Sequence, residues 1–283
     1  MIESGDRIDS AAELPPFLKW AGGKRWLVDG IRKLVPSIEC VAGTYFEPFL
    51  GSGAMFFSLR PAKAVLNDIN VELINVYRVI KENPEGLDRV LRRYHRRHCS
   101  ELYYRTRESV PRTPLAAAAR FVYLNRTCWN GLYRVNRKGR FNVPVGTKSN
   151  VVLPTDDFVG ICRLLKSVSL RSTDFSEIVE QSCYGDLVFA DPPYTVNHNL
   201  NGFRKYNEKL FSWEDQERLH AAALDAIKRG ARVIVSNADH KSIRKLYSEK
   251  QFEVHTVERL SKISGANSGR KYITEVIITS RNM

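Results

Sequence analysis

Short apolar runs that stop abruptly at polar residues recur along this 283-residue chain. Residues 44–49, 64–66, 167–170, 187–190 and 232–237 read as buried strands, because a strand covered on both faces shows continuous apolarity rather than alternation. Apolar residues spaced three to four apart predict helices at 26–34, 55–59, 156–165 and 213–228, with a further helix near 240–248. Strands at 252–257 and 272–279 close the pattern. Strands alternating with helices predict an α/β fold built on a largely parallel sheet. Residues 70–154 break this rhythm: helical periodicity appears at 70–82, 84–97 and 114–128, and residues 133–143 then alternate about a turn at 136–139, as in a hairpin. Residues 1–14 read as a flexible polar arm without an apolar signal core, 195–211 as a mobile lid, and 261–270 as a basic Gly/Ser loop.

Composition narrows the class. Hydrophobic residues make up 43% of the chain, enough for a substantial core. No apolar run approaches the roughly 18–20 residues of a membrane span. The five cysteines are scattered without CxxC spacing, which predicts neither a disulfide framework nor a metal site and fits a cytoplasmic protein. Net charge is +13, and its placement matters more than its size. Residues 70–154 hold 17 Lys/Arg against 6 Asp/Glu, leaving the rest of the chain nearly neutral. A basic insert in a neutral frame points to a polyanion partner.

Candidate chemistry collects at the strand ends, where open α/β sheets bind ligands. The run 187–190 ends in Asp191-Pro192-Pro193-Tyr194. Two prolines fix φ twice and remove two backbone donors, so nearby carbonyls point outward without internal partners. A carboxylate, such a carbonyl and an aromatic face make a slot that suits the amino group of a nucleobase. Gly51-Ser52-Gly53 follows the run at Glu47 and lets a ligand approach the backbone, and Asp68 at the next strand end is placed either for ribose hydroxyls or as a helix cap. Asp174-Phe175 offers the same choice between gripping an adenine edge and capping a helix. Upstream, Lys19-Trp20-Ala21-Gly22-Gly23-Lys24 lacks the earlier Gly and following Ser/Thr of a phosphate loop, and reads as a close backbone approach with Trp20 for stacking and Lys24 for charge. Across 126–143, basic residues interleave with aromatics and Asn, a pattern able to enter a groove, wedge a base step and hold an orphaned base, or else a hydrophobic helix end followed by a surface hairpin.

Taken together, Leu18-Lys19-Trp20-Ala21-Gly22-Gly23-Lys24, Glu47-Pro48-Phe49-Leu50-Gly51-Ser52-Gly53, Asn67-Asp68-Ile69-Asn70, Tyr123-Leu124-Asn125-Arg126, Asn130-Gly131-Leu132, Phe141-Asn142-Val143-Pro144 and the Asp191 tetrad resemble the Dam-type family of adenine-specific DNA methyltransferases, the α-class amino-methyltransferases. The resemblance implies a doubly wound, Rossmann-like sheet of seven strands, with residues 1–69 and 155–283 as catalytic domain and 70–154 as an inserted, mainly helical target-recognition domain carrying a hairpin. It implies S-adenosyl-L-methionine as methyl donor, S-adenosylhomocysteine as product, and no metal. By position, Trp20, Lys24, Glu47, Gly51, Gly53, Asp68, Asp174, Phe175 and Asp191 fall at the cofactor, and Asp191, Pro192, Pro193 and Tyr194 at the chemistry. Lys19, Asn130, Leu132, Arg134 and Pro144 fall at the DNA, Trp129 stands where the family carries a tyrosine wedge, and the basic hairpin tip adds Arg137 and Lys138 as DNA contacts. The implied partner is duplex DNA, with GATC as the family's common target. The enzyme is expected as a cytoplasmic monomer without membrane partner, whether solitary or beside a restriction endonuclease. A methyltransferase acting on the cytosine amine is the nearest alternative, and it ordinarily carries Ser where Asp191 stands. A catalytically silent DNA-binding protein is the other.

Overall fold

The structure, a computed structural model, describes residues 14–20, 23–24, 26–34, 41–136, 139–195, 211–260 and 272–281. Seven strands form one sheet: β1 (Tyr45–Glu47), β2 (Ala64–Asn67), β3 (Val168–Arg171), β4 (Leu187–Ala190), β5 (Arg232–Ala238), β6 (Phe252–Leu260) and β7 (Tyr272–Ser280). Their spatial order is β3-β2-β1-β4-β5-β7-β6. The first five pair in parallel, and β7 runs antiparallel between β5 and β6. Every residue of β1 and β4 is buried; β4 is accordingly an unbroken apolar run, and β1 is two aromatics closed by the buried Glu47.

Period-two alternation divides the strand side chains between two cores. Tyr45, Leu66, Leu187, Phe189, Ile234 and Ile277 face one, while Phe46, Val188, Ala190, Val233, Val235, Val276 and Ile278 face the other. The first core continues without a break into the helices between β2 and β3. These are α3 (Val71–Glu82), α4 (Pro84–Arg97), α5 (Ser100–Glu108) and α6 (Pro114–Thr127). Also on this side lie α1 (Val28–Leu34), α2 (Ala54–Leu59) and α7 (Phe158–Leu165). The second core is closed by α8 (Phe175–Val179), α9 (Trp213–Lys228) and α10 (Lys241–Leu246). Order reverses between β1 and β4, so a crevice opens at their carboxyl ends.

Local chemistry sets the boundaries. Asn83 ends α3 and caps α4, its side chain accepting from the Gly86 amide at 3.0 Å, with Pro84 in the first turn. Ser212 and Asp215 form a reciprocal capping box at α9. The helix α5 was not foreseen; its cap is the Cys99 sulfur and only Tyr103 and Thr106 are buried, so it leaves little periodic signal. The hairpin forms, with Val135 bridged to Phe141 and the Asn136 amide donating to the Arg140 carbonyl at 2.8 Å. Its tip residues Arg137 and Lys138, residues 1–13 of the polar arm, the polar segment 196–210 and the whole Gly/Ser loop 261–270 lie outside the described residues.

Candidate active site

The strand β4 delivers Asp191 to the crevice beside a buried cation. The Lys24 ammonium lies 3.2 Å from Asp191 Oδ1 and 3.2 Å from Glu275 Oε2. It also donates to the Tyr194 hydroxyl at 2.6 Å, which uses its third N–H. The Tyr194 hydroxyl in turn donates to Glu275 Oε2 at 2.7 Å. From β5, the Ser236 hydroxyl donates to Asp191 Oδ1. Both partners of Asp191 thus hold Oδ1, and among the described residues no hydrogen bond reaches Oδ2 or the Pro192 carbonyl.

Burial would favour neutral Lys24, but Asp191, Tyr194 and Glu275 reverse that and hold its pKa above the ordinary lysine value. Burial pushes the Asp191 carboxyl up, Lys24 and Ser236 pull it back, and Glu275 adds to the upward push; the net direction is up. The cluster therefore holds two carboxylates around one ammonium.

Next to it, β1 ends in Glu47, which is 2% exposed and accepts from the Tyr45 hydroxyl at 2.8 Å. Burial raises Glu47 to about 8; the Tyr45 bond opposes this, and the charges of Asp191 and Asp68 reinforce it. Glu47 thus senses both neighbouring strand tips. Gly51 and Gly53 have φ of +50° and +69°, a region favouring glycine. A Cβ on Gly51 would lie 2.7 Å from Trp20 Cδ1. The Gly51 amide donates to Asp68 Oδ2 at 3.0 Å, and the Asn70 amide donates to Oδ1 at 2.9 Å. Of the two readings of Asp68, capping α3 falls instead to Asn70, and Asp68 braces the glycine turn while each oxygen keeps a further lone pair. Asp174 does cap α8, accepting from the Ser176 amide at 2.9 Å and from Arg218 at 2.8 Å. Burial would raise its pKa, but the Ser176 and Arg218 bonds hold it low. Phe175 is buried against Phe49 and Phe211.

A second surface adjoins this crevice. Asn125 clamps the Lys19 backbone at both ends, accepting from its amide at 3.0 Å and donating to its carbonyl at 2.7 Å. The Lys19 side chain is exposed beside Lys148, and partial burial plus that like charge lower its pKa to about 8. Trp129 stands 52% exposed at the end of α6, anchored by its amide to the Pro144 carbonyl at 2.9 Å. Asn130 follows with φ of +55°. Leu132 is half-buried, Pro144 is exposed, and the exposed Arg134 is steadied by Asn142 Oδ1 at 3.1 Å. Trp20 stacks on Tyr133 at 5.6 Å and on Phe121 at 6.2 Å. Arg126 does not join this surface as the interleaved pattern predicted. It is buried, makes two 2.6 Å bonds to Asp156, and donates to the Phe17 and Val151 carbonyls. A buried guanidinium needs this much compensation, so it serves the fold.

Residues 20–263 match the family described as D12 class N6 adenine-specific DNA methyltransferase. The chain belongs to that family. It is 38% identical over 276 residues to a type II methyltransferase, M1.LlaDCHI, of Lactococcus lactis subsp. cremoris, covering 94% of this chain and 95% of the relative. It is 31% identical to the DNA adenine methylase of Escherichia coli K12, covering 92% and 93%. It is 34% identical to the type II methyltransferase M.MjaIII of Methanocaldococcus jannaschii, covering 80% and 85%. The protein is an adenine-specific DNA methyltransferase, and enzymes of this family use S-adenosylmethionine.

The methyltransferase brings Lys24, Glu47, Asp191 and Tyr194 to one end of the sheet, with Trp20, Gly51 and Asp68 alongside. Glycine backbone and a surplus of carboxylates are a donor set that fits an adenosine-bearing sulfonium cation. Three residues of this neighbourhood escaped sequence reasoning: Glu275, Ser236 and Lys148. A single acid inside the apolar run 273–278 was the available signal for Glu275, since a carboxylate on a buried strand face demands a partner. Among the described residues, no helix is long and apolar enough to cross a membrane.

Proposed function

We propose that this methyltransferase modifies N6 of an adenine extruded from duplex DNA at a short site such as GATC, with Asp191, Pro192 and Tyr194 forming the base slot. The observation that carries this reading is that, among the described residues, no hydrogen bond reaches Asp191 Oδ2 or the Pro192 carbonyl at the switch point, while Oδ1 is held by Lys24 and Ser236. The amino lone pair of adenine is delocalised into its ring and is a weak nucleophile. Two acceptors on its two N–H bonds favour a pyramidal nitrogen and stabilise the positive charge that develops there. Pro193 keeps the slot rigid. Tyr194 supplies the stacking face for the extruded base. S-adenosyl-L-methionine, when bound, supplies the methyl group as an electrophile. Gly51, Gly53, Asp68, Glu47 and Trp20 would hold it, with Asp174 and Phe175 at the adenine end and Lys24 contributing charge.

Residues 70–154 form the recognition segment in this reading. Trp129 fills the gap left by the base, a step that meets part of an extrusion cost of about a few kcal/mol. Lys19, Asn130, Leu132, Arg134 and Pro144 read the site, and the hairpin tip with Arg137 and Lys138 grips phosphate. The test is Asp191→Ala, assayed for methyl transfer and duplex binding, together with sequencing of methylated adenines in cells expressing the wild type. Loss of transfer with binding retained is expected. Turnover equal to wild type would remove Asp191 from the mechanism.

A further inference from the structure

The strand β7 runs inside the sheet, with Glu275 opposite Ala238 of β5 and Val257 of β6. Its side chain is 2% exposed. Burying a carboxylate costs several kcal/mol unless it is well paired. Lys24 pairs with it, but Asp191 alone would neutralise that ammonium. Glu275 therefore adds a buried negative charge that the balance of the cluster does not require. Lys24 sits 3.2 Å from each carboxylate, so the one cation is shared evenly rather than committed to Asp191. The Tyr194 hydroxyl is held from two sides, accepting from Lys24 at 2.6 Å and donating to Glu275 at 2.7 Å.

We infer that Glu275 is a positioning residue for methyl transfer: it draws Lys24 partly away from Asp191, leaving that carboxylate a strong acceptor for the substrate amine, and it fixes the Tyr194 ring through its hydroxyl. This rests on the base slot proposed above. The charged groups around Asp191 come from several elements: Lys24 ahead of α1, Glu47 on β1 with Asp68 beyond it on the β2 side, and Glu275 on β7. Ser236 on β5 and Tyr194 after β4 complete the shell.

Glu275→Gln keeps the size and removes the charge. Its kcat is expected to fall about ten- to a hundredfold, the scale of a misplaced reacting group. The KM values for S-adenosylmethionine and duplex should stay within about threefold, because Glu275 is buried behind Lys24 and Tyr194 and holds neither ligand in this reading. Losing this neighbouring charge lets Lys24 lower the Asp191 pKa further, so the acid limb of the kcat–pH profile should move to lower pH. A purely structural role would lower the melting temperature without moving that limb. Tyr194→Phe should share part of the loss, and the double variant should lose less than the product of the singles. Should Glu275→Gln fail to fold, Glu275→Asp decides: a reduced kcat with the acid limb in place supports the inference, and an unchanged kcat overturns it. Glu275→Gln with wild-type kcat, or with an unmoved acid limb, overturns it as well. Activity in Asp191→Ala would instead overturn the base slot itself.

Discussion

Removing the ammonium at the centre of the site should expose how the fold tolerates two carboxylates in its interior. Lys24→Met keeps the length of the side chain and deletes its charge. In the wild type this ammonium is 5% exposed and lies 3.2 Å from both Asp191 and Glu275, each of which is also largely buried. Deleting one partner of a buried pair costs about 3–5 kcal/mol, because the charge left behind is uncompensated. At about 2–4 °C per kcal/mol for a chain of this size, the melting temperature should fall by roughly 10 °C at pH 8. The loss should depend on pH in a defined direction. Without Lys24 the native pKa of Asp191, already pushed up by burial, rises further above the value of about 4 that a carboxyl has when unfolded. The native state then holds protons that the unfolded state has released, so stability falls as pH rises through that window. The deficit should accordingly shrink at pH 5. Lys24→Met with Glu275→Gln removes one of the two orphaned charges and should recover part of the loss. Calorimetry of the wild type, the two single variants and the double variant at pH 5 and pH 8 is the measurement. A deficit equal at both pH values, or a double variant as unstable as the two single losses added, would refute the reasoning.

Three further outcomes are expected. Arg134→Ala should relax sequence preference at one base pair by about 1–3 kcal/mol, read from methylation rates on single-mismatch duplexes; an unchanged preference excludes a base-reading role. Lys148→Ala should weaken DNA binding alike on all sequences, reduce the salt slope by about one, and let the Lys19 pKa climb from about 8, followed by NMR of labelled lysines. Glu47, raised to about 8, should give the wild type a loss of about 1.4 kcal/mol per pH unit between the unfolded carboxylate value and that pH. Glu47→Gln should remove this slope in denaturant titrations at pH 5, 6.5 and 8, and parallel curves for the two proteins would contradict it.

Much of this architecture was legible before any coordinates, for identifiable physical reasons. Strand β4 announces itself because burial on both faces leaves it wholly apolar, and β1 because two buried aromatics precede the Glu47 and Gly51 turn chemistry. The Asp191 tetrad and the Gly51 turn are visible because prolines and glycines change backbone chemistry locally. What stayed hidden depends on distant partners. Arg126 reads as one member of a basic and aromatic stretch able to enter a groove, yet Asp156, thirty residues on, draws it into the core. Glu275 reads as one polar position in a strand until β7 carries it against Lys24, 251 residues earlier. The two roles open to Asp68 differ only in the fold, where Asn70 takes the capping position and leaves Asp68 to the glycine turn. The extra helix α5 was invisible because its contribution to the core is two side chains.

The Trp20 indole touches two machines at once. One edge abuts the turn at Gly51, and its face lies on Tyr133, which opens the hairpin. Strain entering from either side reaches this ring, which in the reading proposed above would make it a joint between the methyl-donor pocket and the sequence reader. Thermodynamic linkage makes such a joint symmetrical: a duplex that seats well would tighten the donor by the same factor by which the donor sharpens the choice of duplex. Fidelity in this enzyme would then be partly a property of how it holds its small molecule.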